Sequence, residues 1–458
     1  MKGKSTPVTR RTFLGGTATL AGILATGAHA SQRATVRHPS PAEKLNLAVV
    51  GAGGRGADNI ADIRDAGVNI VALCDCDQHR AADTFRRYPD ATKYTDWRRM
   101  LDAEKGIDAV LVATPDHNHA IISIAAMRRG KHVYCEKPLA HSIWEVRQMA
   151  KVAAETGTAT QMGTQGHAYE GTRRAVEVIR SGAIGDVSEL HVWTDRPAGW
   201  WTQGVTRPQE TPPIPKELDW DIWLGPAPRR PYNPAYVPFA WRGFWDFGTG
   251  AIGDMGIHNL DTAFWALELS APTSVEVKDC SPSISDPAMR ESAPLWSIVE
   301  LHFPARGSHP PVTMHWYDGG KLPPEELFQG EPRISKDGGS LVIGSKGTLF
   351  TRTWHGGENE KDMFVLVPRK QFEGYIPPEQ TLPRVVSHHH EWVDACLGTG
   401  KTQSPFEYAS VLTESLLLAN VALRTGKRID WDGVAMKAHN CPEAEPFVRP
   451  HFRKGWSI

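Results

Sequence analysis

Cysteine is scarce: six in 458 residues, scattered and with no C-x-x-C pair, so neither a zinc knuckle nor a dense disulfide framework is indicated. An excess of one charge is missing too. With 51 Lys and Arg against 52 Asp and Glu, the formal net charge is −1, and no global field favours nucleic acid or an anionic membrane surface. No stretch beyond the N-terminal segment reaches the about 18 apolar residues of a membrane span, and no internal repeat stands out. What is left is a chain long enough for two domains, with a small molecule as the expected partner. Tryptophan, by contrast, is plentiful at 16. The residues cluster between 193 and 265, where flat faces suit either ordinary core packing or stacking on the apolar face of a sugar.

The N-terminus reads as an address. TRRTFLGG (Thr9 to Gly16) sets two arginines before an apolar Gly/Ala-rich run that ends in AHA (Ala28 to Ala30), a pattern that resembles a twin-arginine export signal. The expectation is a signal over 1–30, a linker over 31–44 and a mature protein in the periplasm or outside the cell.

LNLAVV (45–50) runs directly into GAGGRG, with Gly51, Gly53 and Gly56 in G-x-G-x-x-G spacing before a helical pattern. A second apolar strand, VNIVALCD, ends in Asp75, 19 residues past Gly56. That context turns a weak motif into a strong one. Glycines allow a tight turn and close backbone approach to a pyrophosphate, and an acid at that distance suits the adenosine ribose hydroxyls. The carboxylate favours NAD, while His79 and Arg80 leave NADP possible.

Further strands are expected at DAVLVAT (108–114), KHVYC (131–135) and TATQMG (158–163), with helices over 117–129 and 142–156 between them. Such alternation predicts an α/β Rossmann dinucleotide-binding domain over 45–164, with ligands at the carboxyl ends of a parallel sheet. TPDHNHA (114–120) follows one strand end. Its Asp and two His could ligate a metal, but no second cluster of suitable spacing accompanies them, and a loop against the nicotinamide half fits better. HHHEW (388–392) is read as a helix start, because adjacent helical side chains diverge. No metal is expected. CEKPLA follows the next strand end, where Pro138 restrains the backbone of Lys137 and so aims its ammonium.

The stretch WDFGTGAIGDMGIH (245–258) places Asp254 and His258 four apart, on one face if it is helical, among glycines that leave room for close approach. The other reading is a buried helix with a satisfied core histidine. Residues 165–458 are expected to form a second α/β domain with a large, mostly antiparallel open sheet, from strands VSELHVWT, SVEVKDC, SIVELHF, VTMHWYD, SLVIGS and GTLFT. A Pro/Trp-rich excursion over 195–240 is either functional or a packing arm.

With GAGGRG, Asp75, TPDHNH, CEKP and GDMGIH in this order, the chain resembles the glucose-fructose oxidoreductase and inositol dehydrogenase family (Gfo/Idh/MocA). The resemblance implies NAD (or NADP), tightly held, on Gly51, Gly53, Gly54, Arg55, Gly56 and Asp75, with Thr114, Pro115, His119, Glu136 and Lys137 toward the nicotinamide. It implies Lys137, Asp254 and His258 as catalytic residues, with His258 the general acid/base, and a homo-oligomer (dimer or tetramer). Trp241, Arg242 and Trp245 are expected to line the substrate pocket with Asp254 and His258. The activity implied is oxidation of a hydroxyl on a sugar, glycoside or cyclitol. Two alternatives stand beside it: redox-assisted glycoside cleavage with recycled NAD, and a non-catalytic NAD-binding protein.

Overall fold

The structure, a computed structural model, describes residues 35–40, 42–331, 335, 337–352 and 364–458. The twin-arginine segment and the start of the linker lie outside the described residues. Among these residues no helix is long and apolar enough to cross a membrane.

Six strands, β1 (Leu45–Val50), β2 (Val68–Cys74), β3 (Thr92–Tyr94), β4 (Ala109–Val112), β5 (His132–Glu136) and β6 (Thr160–Gly163), form one sheet. Its order is β3-β2-β1-β4-β5-β6 and every pairing is parallel. The central strands β1 (LNLAVV) and β4 (AVLV) are near-continuous apolar runs, as suits a parallel sheet covered on both faces. Strand order reverses between β1 and β4, which opens a crevice at their carboxyl ends. The helix Ile143–Thr156 starts on a capping box, Ser142 accepting from the Glu145 amide while its hydroxyl meets Glu145 Oε2 at 2.7 Å.

A second sheet contains β7 (Val187–Thr194), β8 (Ser274–Ser281), β9 (Trp296–Phe303), β10 (Val312–Tyr317), β11 (Gly338–Gly344), β12 (Gly347–Arg352), β13 (Phe364–Val367), β14 (Ile429–Asp432) and β15 (Lys437–Ala438). The order is β13-β12-β11-β7-β10-β9-β8-β14-β15, antiparallel except for the parallel pair of β7 and β10. One face carries Leu190, Val192, Leu301 and Met314 into a core shared with the helices Gly250–Leu267 and Phe406–Thr425. The alternate residues of the same strands face the other way.

The excursion over 195–240 folds onto its own chain. Leu218, Trp220, Trp223, Tyr236, Trp241, Phe244 and Phe247 form a separate aromatic cluster, with Trp220 and Trp223 stacked at 4.6 Å. It is tied to the segment after β2 by backbone hydrogen bonds, from the Asp219 amide to the Cys76 carbonyl (2.8 Å) and from the Gln78 amide to the Glu217 carbonyl (2.9 Å). Trp220, Trp223 and Trp241 are thus part of a packed cluster. HHHEW begins the helix His388–Cys396, capped by Ser387, with the His389 ring stacked on Tyr134.

Candidate active site

The glycine-rich turn leads from β1 into the helix Arg55–Ile63. Gly51 sits at φ 84°, and a Cβ on Gly56 would lie 1.8 Å from the Gly51 carbonyl oxygen, so no side chain fits at either position. Asp75, at the end of β2, accepts from the Gly53 amide through Oδ2 and from the Asp77 amide through Oδ1, both at 2.9 Å. Burial outweighs these bonds and pushes its carboxyl up to about 6. The same turn opens into a cleft of about 460 Å³, lined by Gly51, Gly53, Gly54, Arg55 and Asp75 on one side and by Lys137, Asp254 and His258 on the other.

Thr114 and Pro115 line the cleft at the end of β4, and the buried Thr114 Oγ1 has no hydrogen-bond partner among the described residues. A helix N-terminus, an acid at the end of β2 and an unsatisfied hydroxyl beyond β4 together match the donors and acceptors that a dinucleotide needs. Glu136 holds Arg55 (Nε 3.0 Å), Asn59 (2.9 Å) and Gln165 (3.0 Å), fixing the cleft floor.

Lys137 Nζ reaches Asp254 Oδ1 at 2.6 Å and the Asp254 carbonyl at 3.1 Å. Asp254 Oδ2 meets Arg196 Nη1 at 2.7 Å, and Arg242 Nε approaches Oδ1 at 3.5 Å. Burial alone would raise this acid. Lys137, Arg242 and Arg196 outweigh it and hold the carboxyl well below the usual range. Asp254 and His258 lie in the helix Gly250–Leu267 and face one cleft, as the four-residue spacing requires. Burial, and after it the Lys137 charge, keeps the His258 imidazole well below its usual pKa and therefore neutral. Thr164 Oγ1 stands 3.5 Å from its Nδ1.

Three expectations change here. Trp245 does not face the cleft: its indole donates to the Met289 carbonyl at 3.0 Å and packs with Met289, Ala293 and Leu423. Trp241 and Arg242, four and three residues earlier, do line it, with the guanidinium 4.3 Å from the Trp241 ring. His119 is buried behind the cleft wall, its ring nitrogens 2.8 Å from the Pro138 and Thr114 carbonyls. It clips the β4 loop to the Lys137 turn and so acts on the site at one remove. The glycines of GDMGIH make room for the protein itself, since a Cβ on Gly253 would strike Thr249 and one on Gly256 would strike Leu416.

Arg196 was not among the residues expected in the site. It lies two residues past the end of β7, inside a segment whose Pro and Trp content masks it, and its guanidinium sits 4.0 Å from the Trp200 ring. The rule that sites gather at strand ends is the signal that would have found it.

Residues 45–164 match the family model described as an oxidoreductase family with an NAD-binding Rossmann fold, and residues 170–292 match the C-terminal α/β domain of the same family. Together they cover more than half of the chain. It belongs to the Gfo/Idh/MocA family. Inositol 2-dehydrogenase of Salmonella typhimurium is 28% identical over 151 residues, 32% of this chain and 45% of that protein. Levoglucosan dehydrogenase of Pseudarthrobacter phenanthrenivorans is 27% identical over 204 residues, 44% of each chain. These matches span under half the length of the relatives. The WlbA dehydrogenase from Bordetella pertussis, solved with NADH and UDP-GlcNAcA, superposes with a TM-score of 0.59 at 18% identity over 85% of this chain and 99% of its own. That likeness, over most of this chain, is one of fold.

Proposed function

We propose that this Gfo/Idh/MocA protein oxidises a hydroxyl of a sugar, glycoside or cyclitol, with His258 as general base. The observation that carries the reading is the placement of His258 and the Lys137–Asp254 pair in the same cleft as the glycine-rich turn, with burial lowering the His258 pKa in the direction a general base requires. When bound, the nicotinamide supplies the hydride acceptor. His258 takes the hydroxyl proton, which a neutral imidazole can do and an imidazolium cannot. Lys137 stabilises the oxygen as it gains charge, and Asp254 holds that ammonium in place from across the cleft. Arg196 and Arg242 offer donors to further hydroxyl or carboxylate oxygens, and Trp241 offers a face to the substrate ring.

The relatives named for inositol and levoglucosan support a polyhydroxylated ring as substrate. The same reading includes tightly held NAD, export by the twin-arginine route to the periplasm, and a homo-oligomer, the last resting on the family resemblance alone. The test is a panel of inositols, free sugars and glycosides offered to the dinucleotide-loaded protein, with nicotinamide reduction followed optically and products weighed by mass spectrometry. A product two hydrogens lighter is expected. Free sugar released from a glycoside without net oxidation would replace this reading with redox-assisted cleavage, and no turnover of any member would remove it.

A further inference from the structure

We infer that Glu189, His191 and His315 form a binding site for a divalent first-row transition ion of the zinc type, on the second sheet and outside the catalytic cleft. None of the three lines that cleft. His191 on β7 and His315 on β10 are direct partners in the parallel register, and their rings stack at 4.7 Å with only 16° between planes. Glu189, two residues before His191, projects from the same face. Both Nε2 atoms turn toward one oxygen: Glu189 Oε1 is 2.7 Å from His191 Nε2 and 3.7 Å from His315 Nε2. One potential ligand atom from each residue lies within 4.8 Å of the other two.

The opposite ring nitrogens are anchored. His191 Nδ1 is 3.0 Å from the Tyr317 hydroxyl, and His315 Nδ1 is 3.5 Å from Glu300 Oε2, whose other oxygen is 2.9 Å from His302 Nε2. Imidazoles that ligate a metal are typically held in this way, with one nitrogen fixed by an oxygen so that the other presents its lone pair. Two imidazoles and a carboxylate are the donor set of many zinc centres, with water as a fourth ligand. Bonds of about 2.0–2.2 Å would place the three ligand atoms roughly 3.3 Å apart, a value that the Glu189 contacts of 2.7 and 3.7 Å bracket. Only His191 is nearly sealed; Glu189 and His315 keep 40% and 23% of their side-chain surface, so an ion has a way in. The sequence conceals this site because residues 189 and 315 come together only through the β7–β10 pairing.

The experiment uses the untagged full-length chain with its dinucleotide, stripped of metal by a chelator, then titrated with Zn²⁺ by calorimetry and checked by elemental analysis. One zinc per chain is expected. Glu189→Gln and His315→Ala should each weaken that binding by at least about tenfold, with unchanged circular dichroism, and His390→Ala, in the other histidine cluster, should leave it intact. No zinc uptake by the parent chain, or uptake that Glu189→Gln and His315→Ala do not alter, would overturn the assignment and leave a hydrogen-bonded histidine–glutamate stack. Should His315→Ala fold poorly, Glu189→Gln decides, since it keeps the shape of a half-exposed side chain and removes only the ligand charge.

Discussion

Lys137, on the turn after β5, and Asp254, on the helix that follows the Pro/Trp-rich excursion, meet at 2.6 Å across the cleft, 117 residues apart in the chain. Lys137 and Asp254 act as one unit, the carboxylate holding the ammonium in place, so removing either disables the same contact, although Arg196 and Arg242 remain to balance Asp254. Lys137→Met and Asp254→Asn are each expected to lower turnover by about a hundredfold or more. The double variant should be scarcely slower than the worse single one, as a double-mutant cycle on turnover will read. Additive losses would mean that the two residues act separately.

Arg196 supplies a prediction about pH. Burial first, then Lys137, and with them Arg196, depress the His258 pKa, while Asp254 works the other way. Because the neutral imidazole is the working form, the rate falls as pH drops through that pKa. Arg196→Gln removes a positive charge, so the pKa rises and the acid limb of the pH–rate profile moves to higher pH. An acid limb that stays in place would separate Arg196 from the base and leave it a substrate contact alone.

Asp75 makes cofactor affinity sensitive to mild acid. Its carboxyl, pushed up to about 6 by burial, can accept through both oxygens from ribose hydroxyls and backbone amides only while ionised, because protonation turns one oxygen into a donor. NAD affinity is therefore expected to decline as pH falls from 7 to 5, by calorimetry on the stripped protein. Asp75→Ala should weaken NAD about tenfold or more, erase that decline and narrow the preference for NAD over NADP. A steeper decline in the variant would contradict this.

Gly56→Ala tests the turn itself. Its new Cβ would meet the Gly51 carbonyl at 1.8 Å, a backbone atom that cannot swing away, so the turn must deform. The variant is expected to purify with far less dinucleotide than the parent, measured by chromatography of the heat-denatured supernatant. Full retention would show that the turn yields at little cost.

Much of this was legible in the sequence where local pattern and burial agree. LNLAVV and VSELHVWT are strands over those same residues, because their apolar spacing matches the face they bury. The four-residue step from Asp254 to His258 placed both on one cleft wall. What failed to show depends on contacts remote in sequence. Arg196 joins the site only because β7 ends above the cleft. Trp245 leaves it because its indole finds the Met289 carbonyl. The short strand β3 shows no period in the sequence because Thr92–Tyr94 is too brief, and the role of His119 as a clip depends on the position of Pro138.

The central claim is tested most directly by His258→Ala, loaded with NAD and mixed with a substrate found in the panel, with nicotinamide reduction followed in a single turnover. The account predicts normal folding and cofactor retention, with reduction slowed by about two orders of magnitude or more. Reduction at close to the parent rate would contradict it, leaving His258 as packing and the proton acceptor elsewhere in the cleft.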